Sequence, residues 1–259
     1  MATLFQAERD SIAFLGLLSV AYKKFDFQIH HPDKQITHSY GLNIYAGIID
    51  NTDGELLGQQ KNYIHTHNNP MMHAEQLSLK EAIERVNVKR PRNASTTSAE
   101  NYYRNMLFYN TAAGDYLNAG STLYTTLEPC PFCASALLVT RMKRVVYIIP
   151  DPTFGGAYVT LRTKHYPAYD TSYEQLNIPV FAESELTKFA NEQYAKLLAR
   201  VAELKKENDK LYDTLLIDYM NDLLKDCFTY FSALTEKAIV TAANERERNL
   251  KTLIAFQSK

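Results

Sequence analysis

The sequence has few cysteines, glycines and prolines, and it has no excess of charge of either sign. Its 259 residues include three Cys, nine Gly and nine Pro, and 28 Lys and Arg stand against 29 Asp and Glu. This composition excludes a collagen-like repeat and an intrinsically disordered chain. The net charge of −1 gives no global basic field of the kind that dominates binding to a phosphate backbone. A dedicated nucleic-acid binder is therefore disfavoured.

The three cysteines are too few for a disulfide scaffold. Two of them, Cys130 and Cys133, lie three positions apart, which is typical of a metal site or a redox pair in a reducing compartment. The third, Cys227, lies beside Phe228 in a stretch with helical character. We interpret Cys227 as a buried structural thiol.

Long hydrophobic runs are also missing. The apolar run at residues 12–20 is shorter than the roughly 18 to 20 residues that a membrane span needs. Acidic and basic residues precede this run instead of a net positive segment, and no small-residue cleavage site follows it, so it does not resemble a signal peptide. We expect a cytoplasmic protein with no membrane partner.

The hydrophobic periodicity predicts an α/β fold. The predicted elements are a helix at 8–24, strands at 41–50 and 56–63, a helix at 73–87, a strand at 121–126, a helix at 131–142 and a strand at 144–149. The first two strands form a hairpin through the turn signal at 51–54. The last strand, helix and strand form a βαβ crossover, so part of the sheet is parallel and helices should cover it.

Two segments depart from this pattern. Residues 89–119 carry Pro, Asn, Ser and Thr together with several tyrosines, and we interpret them as an insertion into a domain that spans 1–182. Residues 183–259 lack Gly and Pro, which predicts a helical extension. A short heptad seam runs through this extension at Leu197, Val201, Leu204, Asn208, Leu211 and Leu215. The extension is thus either a dimerising helical hairpin or a set of helices that packs on its own domain.

The chemistry is concentrated in two short segments, Met71–Glu75 and Leu127–Cys133. A catalytic zinc takes three protein ligands of nitrogen and thiolate type and keeps a position for water, and His73, Cys130 and Cys133 supply such a set. Glu75 is then free for proton transfer. A redox pair of the two cysteines leaves His73 and Glu75 unexplained, and a structural or catalytically dead zinc site is the other alternative.

Two prolines support this placement of the ligands. Pro131 suits the first turn of a helix and brings the two cysteines to its positive amino-terminal end, where thiolates are stabilised. Positions i and i+2 do not face each other on a regular helix, so His73 and Glu75 can approach one metal only where a loop becomes a helix. Pro70 makes such a boundary plausible.

His73-Ala74-Glu75 followed by Pro129-Cys130-x-x-Cys133 matches the H-x-E…P-C-x-x-C pattern of zinc nucleobase deaminases. Over residues 8–165 the chain resembles the cytidine deaminase superfamily, and most closely its branch of tRNA adenosine deaminases and guanine deaminases. Three segments carry this resemblance, namely Thr126–Cys133, Arg141–Tyr147 and Asp151–Gly156.

The resemblance implies a three-layer α/β/α sandwich with a mixed five-stranded sheet in a zinc deaminase domain over 1–182. It implies one Zn²⁺ per chain on His73, Cys130 and Cys133, with Glu75 as the proton shuttle. Asn62 falls where that branch has an asparagine that contacts the base, although an ordinary turn-capping asparagine fits as well. The backbone amide of Ala74 falls where the family holds a ring substituent.

The predicted reaction is hydrolytic deamination of an amino-substituted base, nucleoside or nucleotide. Phe154, after the 144–149 strand, is a candidate for lining the pocket, with ordinary core packing as the alternative. The near-neutral charge makes a small molecule the first choice and RNA the second, since the one compact basic run is Lys89–Arg92. The heptad seam predicts a homodimer. A catalytically inactive, zinc-binding interaction protein is the alternative of another class.

Overall fold

The computed structural model describes residues 4–24, 44–64, 67–89, 120–151, 153–165, 172–178, 184–207 and 212–259. Its elements are α1 (Leu4–Lys23), β1 (Tyr45–Asp50), β2 (Leu56–Lys61), α2 (Ala74–Lys89), β3 (Ser121–Leu127), α3 (Pro131–Val139), β4 (Arg144–Ile149), α4 (Ala157–His165), β5 (Ser172–Gln175), α5 (Glu185–Glu207), α6 (Tyr212–Ala233), a 3₁₀ turn (Glu236–Ala238) and α7 (Ala243–Gln257). The proposed insertion lies outside the described residues, apart from the last residue of α2.

The strands form one mixed sheet in the order β2-β1-β3-β4-β5. Strand β1 pairs antiparallel with β2 and β3, whereas β3–β4 and β4–β5 are parallel pairs. Gly54 in the hairpin turn has a φ of 77°, and a Cβ there would lie 2.1 Å from the carbonyl oxygen of Arg248, so only glycine fits. The α/β class with a mixed five-stranded sheet, predicted from the sequence, is confirmed.

Side chains that alternate along the strands fill two cores on opposite faces of the sheet. On one face, Ala46, Ile48 and Val145 pack with apolar residues of α2, α3 and α4. On the other face, Tyr45 and Ile49 pack with residues of α1, α5, α6 and α7. The molecule is therefore a three-layer α/β/α sandwich over the part of the chain that the structure describes.

The helices of the extension pack on α1. Leu197 and Val201 of α5 are buried in this core, as is the thiol of Cys227 on α6. Gly16 of α1 lets α7 approach closely, because a Cβ at this position would lie 2.6 Å from the ring of Phe256. The first two residues of the heptad seam thus contact their own chain, while the side chains of its other four residues lie outside the described part.

Element ends differ slightly from the sequence prediction. The helix predicted to reach residue 142 ends at Val139, and the chain turns away at Arg141, which has a φ of 55°. The amide of Met142 then bonds back to the carbonyl of Leu137 at 3.0 Å, so β4 can begin at Arg144. None of the helices in the described residues is both long and apolar enough to cross a membrane.

Candidate metal centre and active site

Three potential metal ligands meet where α2 and α3 begin. His73 precedes α2, and its carbonyl accepts the Leu77 amide at 3.0 Å, which starts the helix. Cys130 is the N-cap of α3, with Pro131 as the first helical residue, and Cys133 lies in the first turn. The ligand atoms of His73, Cys130 and Cys133 all lie within 4.8 Å of one another. Residues distant in sequence are thereby brought to one point by two helix N-termini.

The protonation of these three side chains is coupled. Hydrogen bonds from Cys133 and then His73 lower the pKa of Cys130 to about 4. Its sulfur lies 3.7 Å from Nδ1 of His73, and this contact raises the pKa of the imidazole. The same sharing raises the pKa of Cys133, whose thiol hydrogen-bonds to Cys130. Such a cluster exchanges protons for a soft cation, because metal ligands must deprotonate to bind.

Glu75 lies in the first turn of α2 and is only 4% exposed. Its Oε2 atom has no hydrogen-bond partner among the described residues, and burial raises the pKa of the carboxyl to about 7. A buried polar group normally has a partner, so this orphaned oxygen indicates a role toward something that binds there. One nitrogen and two sulfur ligands beside a spare carboxylate fit a three-ligand catalytic zinc site.

The structure places the other predicted site residues at this end of the sheet. Ala74 is the buried first residue of α2, where backbone amides have no intrahelical acceptor. Asn62 follows β2, and its Oδ1 accepts the amide of Ile64 at 2.9 Å, as a turn-capping asparagine does. Phe154 lies on the loop between β4 and α4 and is 51% exposed, so it is not a core residue.

Two residues beside the ligands were not predicted from the sequence. The ring of Phe132, between the two cysteines, lies edge-on to the ring of His73 with centroids 5.4 Å apart and is 39% exposed. Its carbonyl accepts the side-chain amide of Gln76 at 3.3 Å, which ties α3 to α2. Glu128, two residues before Cys130, is a buried carboxylate with several hydrogen bonds. The one feature of the sequence that could have pointed to Glu128 is its position in the Thr126–Cys133 segment.

Two features of the sequence bear on an RNA substrate. The tyrosines of the insertion and the basic run Lys89–Arg92 lie outside the described side chains. The described centre is therefore defined by α2, α3 and the two loops beside them.

Comparison with known proteins points to the same region. Residues 37–149 match the family model of the cytidine and deoxycytidylate deaminase zinc-binding region. A tRNA-specific adenosine deaminase of Aquifex aeolicus is 28% identical over 141 residues, which cover 54% of this chain and 76% of that protein. A tRNA-specific adenosine deaminase of Bacillus subtilis is 31% identical over 109 residues, which cover 42% of this chain and 50% of that protein.

Solved structures are more distant. A structure from a study of A-to-I editing by tRNA:A34 deaminases is 21% identical, with a TM-score of 0.40 over 63% of this chain and 96% of the other. The guanine deaminase from Bacillus subtilis is also 21% identical, with a TM-score of 0.29 over 52% of this chain and 71% of the other. The match of the family model and the sequence relatives confirm the resemblance and the enzyme class predicted from the sequence: residues 37–149 are similar to the zinc-binding region of cytidine and deoxycytidylate deaminases.

Proposed function

We propose that this chain is a zinc-dependent hydrolytic deaminase, which exchanges the amino group of a nucleobase for oxygen and releases ammonia. One observation carries the proposal: the ligand atoms of His73, Cys130 and Cys133 converge within 4.8 Å, and the buried Glu75 beside them has an oxygen without a partner in the described residues. A structural zinc site would bring a fourth ligand and would have no use for such a carboxylate.

The roles of the residues follow from their chemistry. Zinc held by the three ligands would supply a hydroxide nucleophile at neutral pH, because it lowers the pKa of water. Glu75 accepts the proton that the water loses and passes it to a ring nitrogen while the amino-bearing carbon gains oxygen. The same carboxylate then takes the second proton from the added hydroxyl and gives it to the departing amine, so that one water and one amino group give a carbonyl and ammonia. We propose that the Ala74 amide and Asn62 hold the base.

Two substrate classes are supported by different observations. The relatives named above are tRNA-specific adenosine deaminases, which favours adenosine in tRNA as the substrate. The net charge of −1 favours a free base, nucleoside or nucleotide, which has no long phosphate backbone to neutralise. We place adenosine in tRNA first, because the sequence relatives carry more information about the site than the net charge does.

An ammonia-release assay with the zinc-loaded protein separates these readings. The panel contains adenine, guanine and cytosine, their nucleosides and nucleotides, and a tRNA anticodon stem-loop. We expect ammonia from the stem-loop. Ammonia release only from a free base, nucleoside or nucleotide would instead support the small-molecule substrate expected from the net charge. Bound zinc with no ammonia from any member of the panel would instead support a catalytically inactive interaction protein.

We also propose that the protein forms a homodimer through the 183–259 extension. The other four residues of the heptad seam, whose side chains lie outside the described part, would have to carry this contact, because Leu197 and Val201 are buried within the chain. Light scattering on the full-length protein should give twice the mass of one chain. A monomeric mass at micromolar concentration would contradict the dimer.

A further inference from the structure

Glu128 lies between the end of β3 and the metal-binding turn, and the mechanism above does not use it. Its side chain is buried, with 5% of the residue exposed, and its backbone amide donates to the carbonyl of Ile149 at 2.9 Å. A buried carboxylate is costly unless hydrogen bonds compensate for the lost hydration. The hydrogen-bond partners of Glu128 therefore indicate why a carboxylate is buried at this position.

Two of those partners lie at the two ends of one loop, and a third lies on the edge strand β5. The Oε2 atom accepts the amide of Asp151 at 3.1 Å, and Oε1 accepts the amide of Gly156 at 2.7 Å. The hydroxyl of Tyr173 on β5 donates to Oε1 at 2.5 Å, and its ring stacks on Tyr158 with centroids 4.7 Å apart. One carboxylate thus joins the end of β4, the start of α4 and the edge strand of the sheet.

The 151–156 loop between these ends, of which residues 151 and 153–156 are described, has its own internal support. The Asp151 carboxylate accepts the amides of Thr153 and Phe154 at 2.7 and 3.0 Å, and its carbonyl accepts the amide of Gly155 at 2.9 Å. A Cβ on Gly155 would lie 2.9 Å from Oε2 of Glu128, so the loop rests directly on this carboxylate. Phe154 lies in the exposed part of the loop with half of its surface accessible.

The position of this loop gives the contact a functional meaning. Strands β3 and β4 are parallel neighbours, so their carboxyl ends lie side by side, with Cys130 after one and the 151–156 loop after the other. Ligands of open α/β sheets bind outside the carboxyl ends of the strands. The loop therefore stands next to the proposed metal ligands, on the side of the sheet where a base must enter.

We propose that Glu128 is a positioning residue that fixes the 151–156 loop beside the metal-binding turn, so that the loop and Phe154 form one wall of the substrate site. This inference rests on the proposed deaminase function. It assigns to Glu128 no contact with metal or substrate; its effect passes through the loop. Loss of the hydrogen bonds between Glu128 and the loop should weaken substrate binding more than it slows the chemical step.

The test compares three variants. Glu128→Gln keeps the volume but offers an amide NH₂ group to one set of donors, so at least one bond to the loop is lost. Tyr173→Phe removes a single hydroxyl donor and keeps the ring stack, and it serves as the milder variant if Glu128→Gln does not fold. Glu203→Gln, on an exposed side chain of α5, is the matched control.

Two measurements are made on the zinc-loaded proteins. Hydrogen exchange followed by mass spectrometry should show amides of residues 151–157 exchanging about tenfold faster in Glu128→Gln, because charge-assisted bonds to both ends of the loop are weakened. With the best substrate of the panel, KM should rise about tenfold while kcat and zinc content change little. Tyr173→Phe should change both quantities in the same direction by less, and Glu203→Gln should match the wild type.

The outcomes separate this inference from the function on which it rests. An active wild type combined with unchanged exchange and unchanged KM in Glu128→Gln would overturn the inference alone. Losses of kcat and zinc content as large as the change in KM, in folded Glu128→Gln or in Tyr173→Phe, would assign Glu128 a structural role and would also overturn the inference. A wild type that is inactive on every substrate would contradict the proposed function, and with it the substrate wall, whatever the exchange data show.

Discussion

Two buried carboxylates, on helices that cover opposite faces of the sheet, have opposite environments. Asp10 on α1 is fully buried and accepts hydrogen bonds from Gln6 at 2.8 Å, from the Tyr124 hydroxyl at 2.7 Å, and from two nitrogens of Arg144 at 2.7 and 2.9 Å. Glu75 is almost as deeply buried, yet its Oε2 has no partner among the described residues. The first carboxylate has the environment of a structural group and the second that of a reactive one.

The two regions of the fold differ in how far their buried polar groups are hydrogen-bonded. Around α1, the buried carboxylates of Asp10 and Glu8 are hydrogen-bonded: Glu8 accepts the Val240 amide at 2.6 Å and the Asn249 side chain at 2.8 Å, which attaches α7 to α1. At the start of α2 and α3, a buried carboxyl with a raised pKa lies beside two cysteines, of which Cys130 has a lowered pKa and Cys133 a raised one. Well-satisfied networks make a rigid frame, and the frame can hold an unsatisfied group that would otherwise destabilise the chain.

The largest effect should come from removing a metal ligand. Wild-type protein should bind one zinc per chain, and Cys133→Ala should lose that zinc together with activity, because two ligands do not make a stable zinc site. Cys227→Ala is the matched control, since its buried thiol lies on α6 among apolar residues. Metal analysis after dialysis checks both variants. Equal zinc in Cys133→Ala and wild type would remove the basis of the proposed metal centre.

The next effect concerns the saturated carboxylate. Asp10→Ala leaves Arg144 buried without its main partner, which should cost about 3–5 kcal/mol of the free energy of unfolding. Urea unfolding measures this loss, with Asp222→Ala on the exposed surface of α6 as the control. A cost below about 1 kcal/mol would place Asp10 among ordinary surface ion pairs and would weaken the comparison.

Replacing the reactive carboxylate, Glu75, should raise the free energy of unfolding instead of lowering it. The pKa of Glu75 is raised from 4.5 to about 7 in the folded chain, so the free energy of unfolding falls as the pH rises from about 4.5 to about 7, and the full penalty is present above about pH 7. Below about pH 4.5 the carboxyl is protonated in both states and the penalty vanishes. In zinc-free protein, Glu75→Gln should therefore add on the order of 3 kcal/mol of stability at pH 8 and almost none at pH 4.

Urea unfolding of the chelated protein at the two pH values checks this sign. Glu84→Gln, an exposed position on the same helix, should change stability at neither pH. A Glu75→Gln variant that is less stable than wild type at pH 8 would show that the buried carboxylate is paired in solution, which contradicts the contrast with Asp10.

The sequence predicted the parts of the molecule that depend on local signals. Pro131 places Cys130 and Cys133 at a helix start, and Pro70 comes shortly before the boundary at His73, where α2 begins. These positions are encoded by residues within a few places of the ligands. The hairpin at Gly54 and the parallel pair β3–β4 were predictable for the same reason.

Contacts between distant segments were not predictable. Arg144 and Asp10 are 134 positions apart, and Glu128 and Tyr173 are 45 positions apart, so no local sequence pattern predicts either hydrogen bond. The last turn of the helix predicted to reach residue 142 was overestimated, because apolar periodicity does not reveal the left-handed conformation of Arg141. Only tertiary packing decides such cases.

The most direct test of the central claim is ammonia release by Glu75→Gln on a substrate that the wild type deaminates, measured together with zinc content. The account predicts wild-type zinc and a loss of rate of about 10² to 10⁴-fold, because the variant keeps the metal ligands but cannot move the proton. Glu84→Gln should retain wild-type activity. A zinc-loaded Glu75→Gln variant as active as wild type would contradict the account.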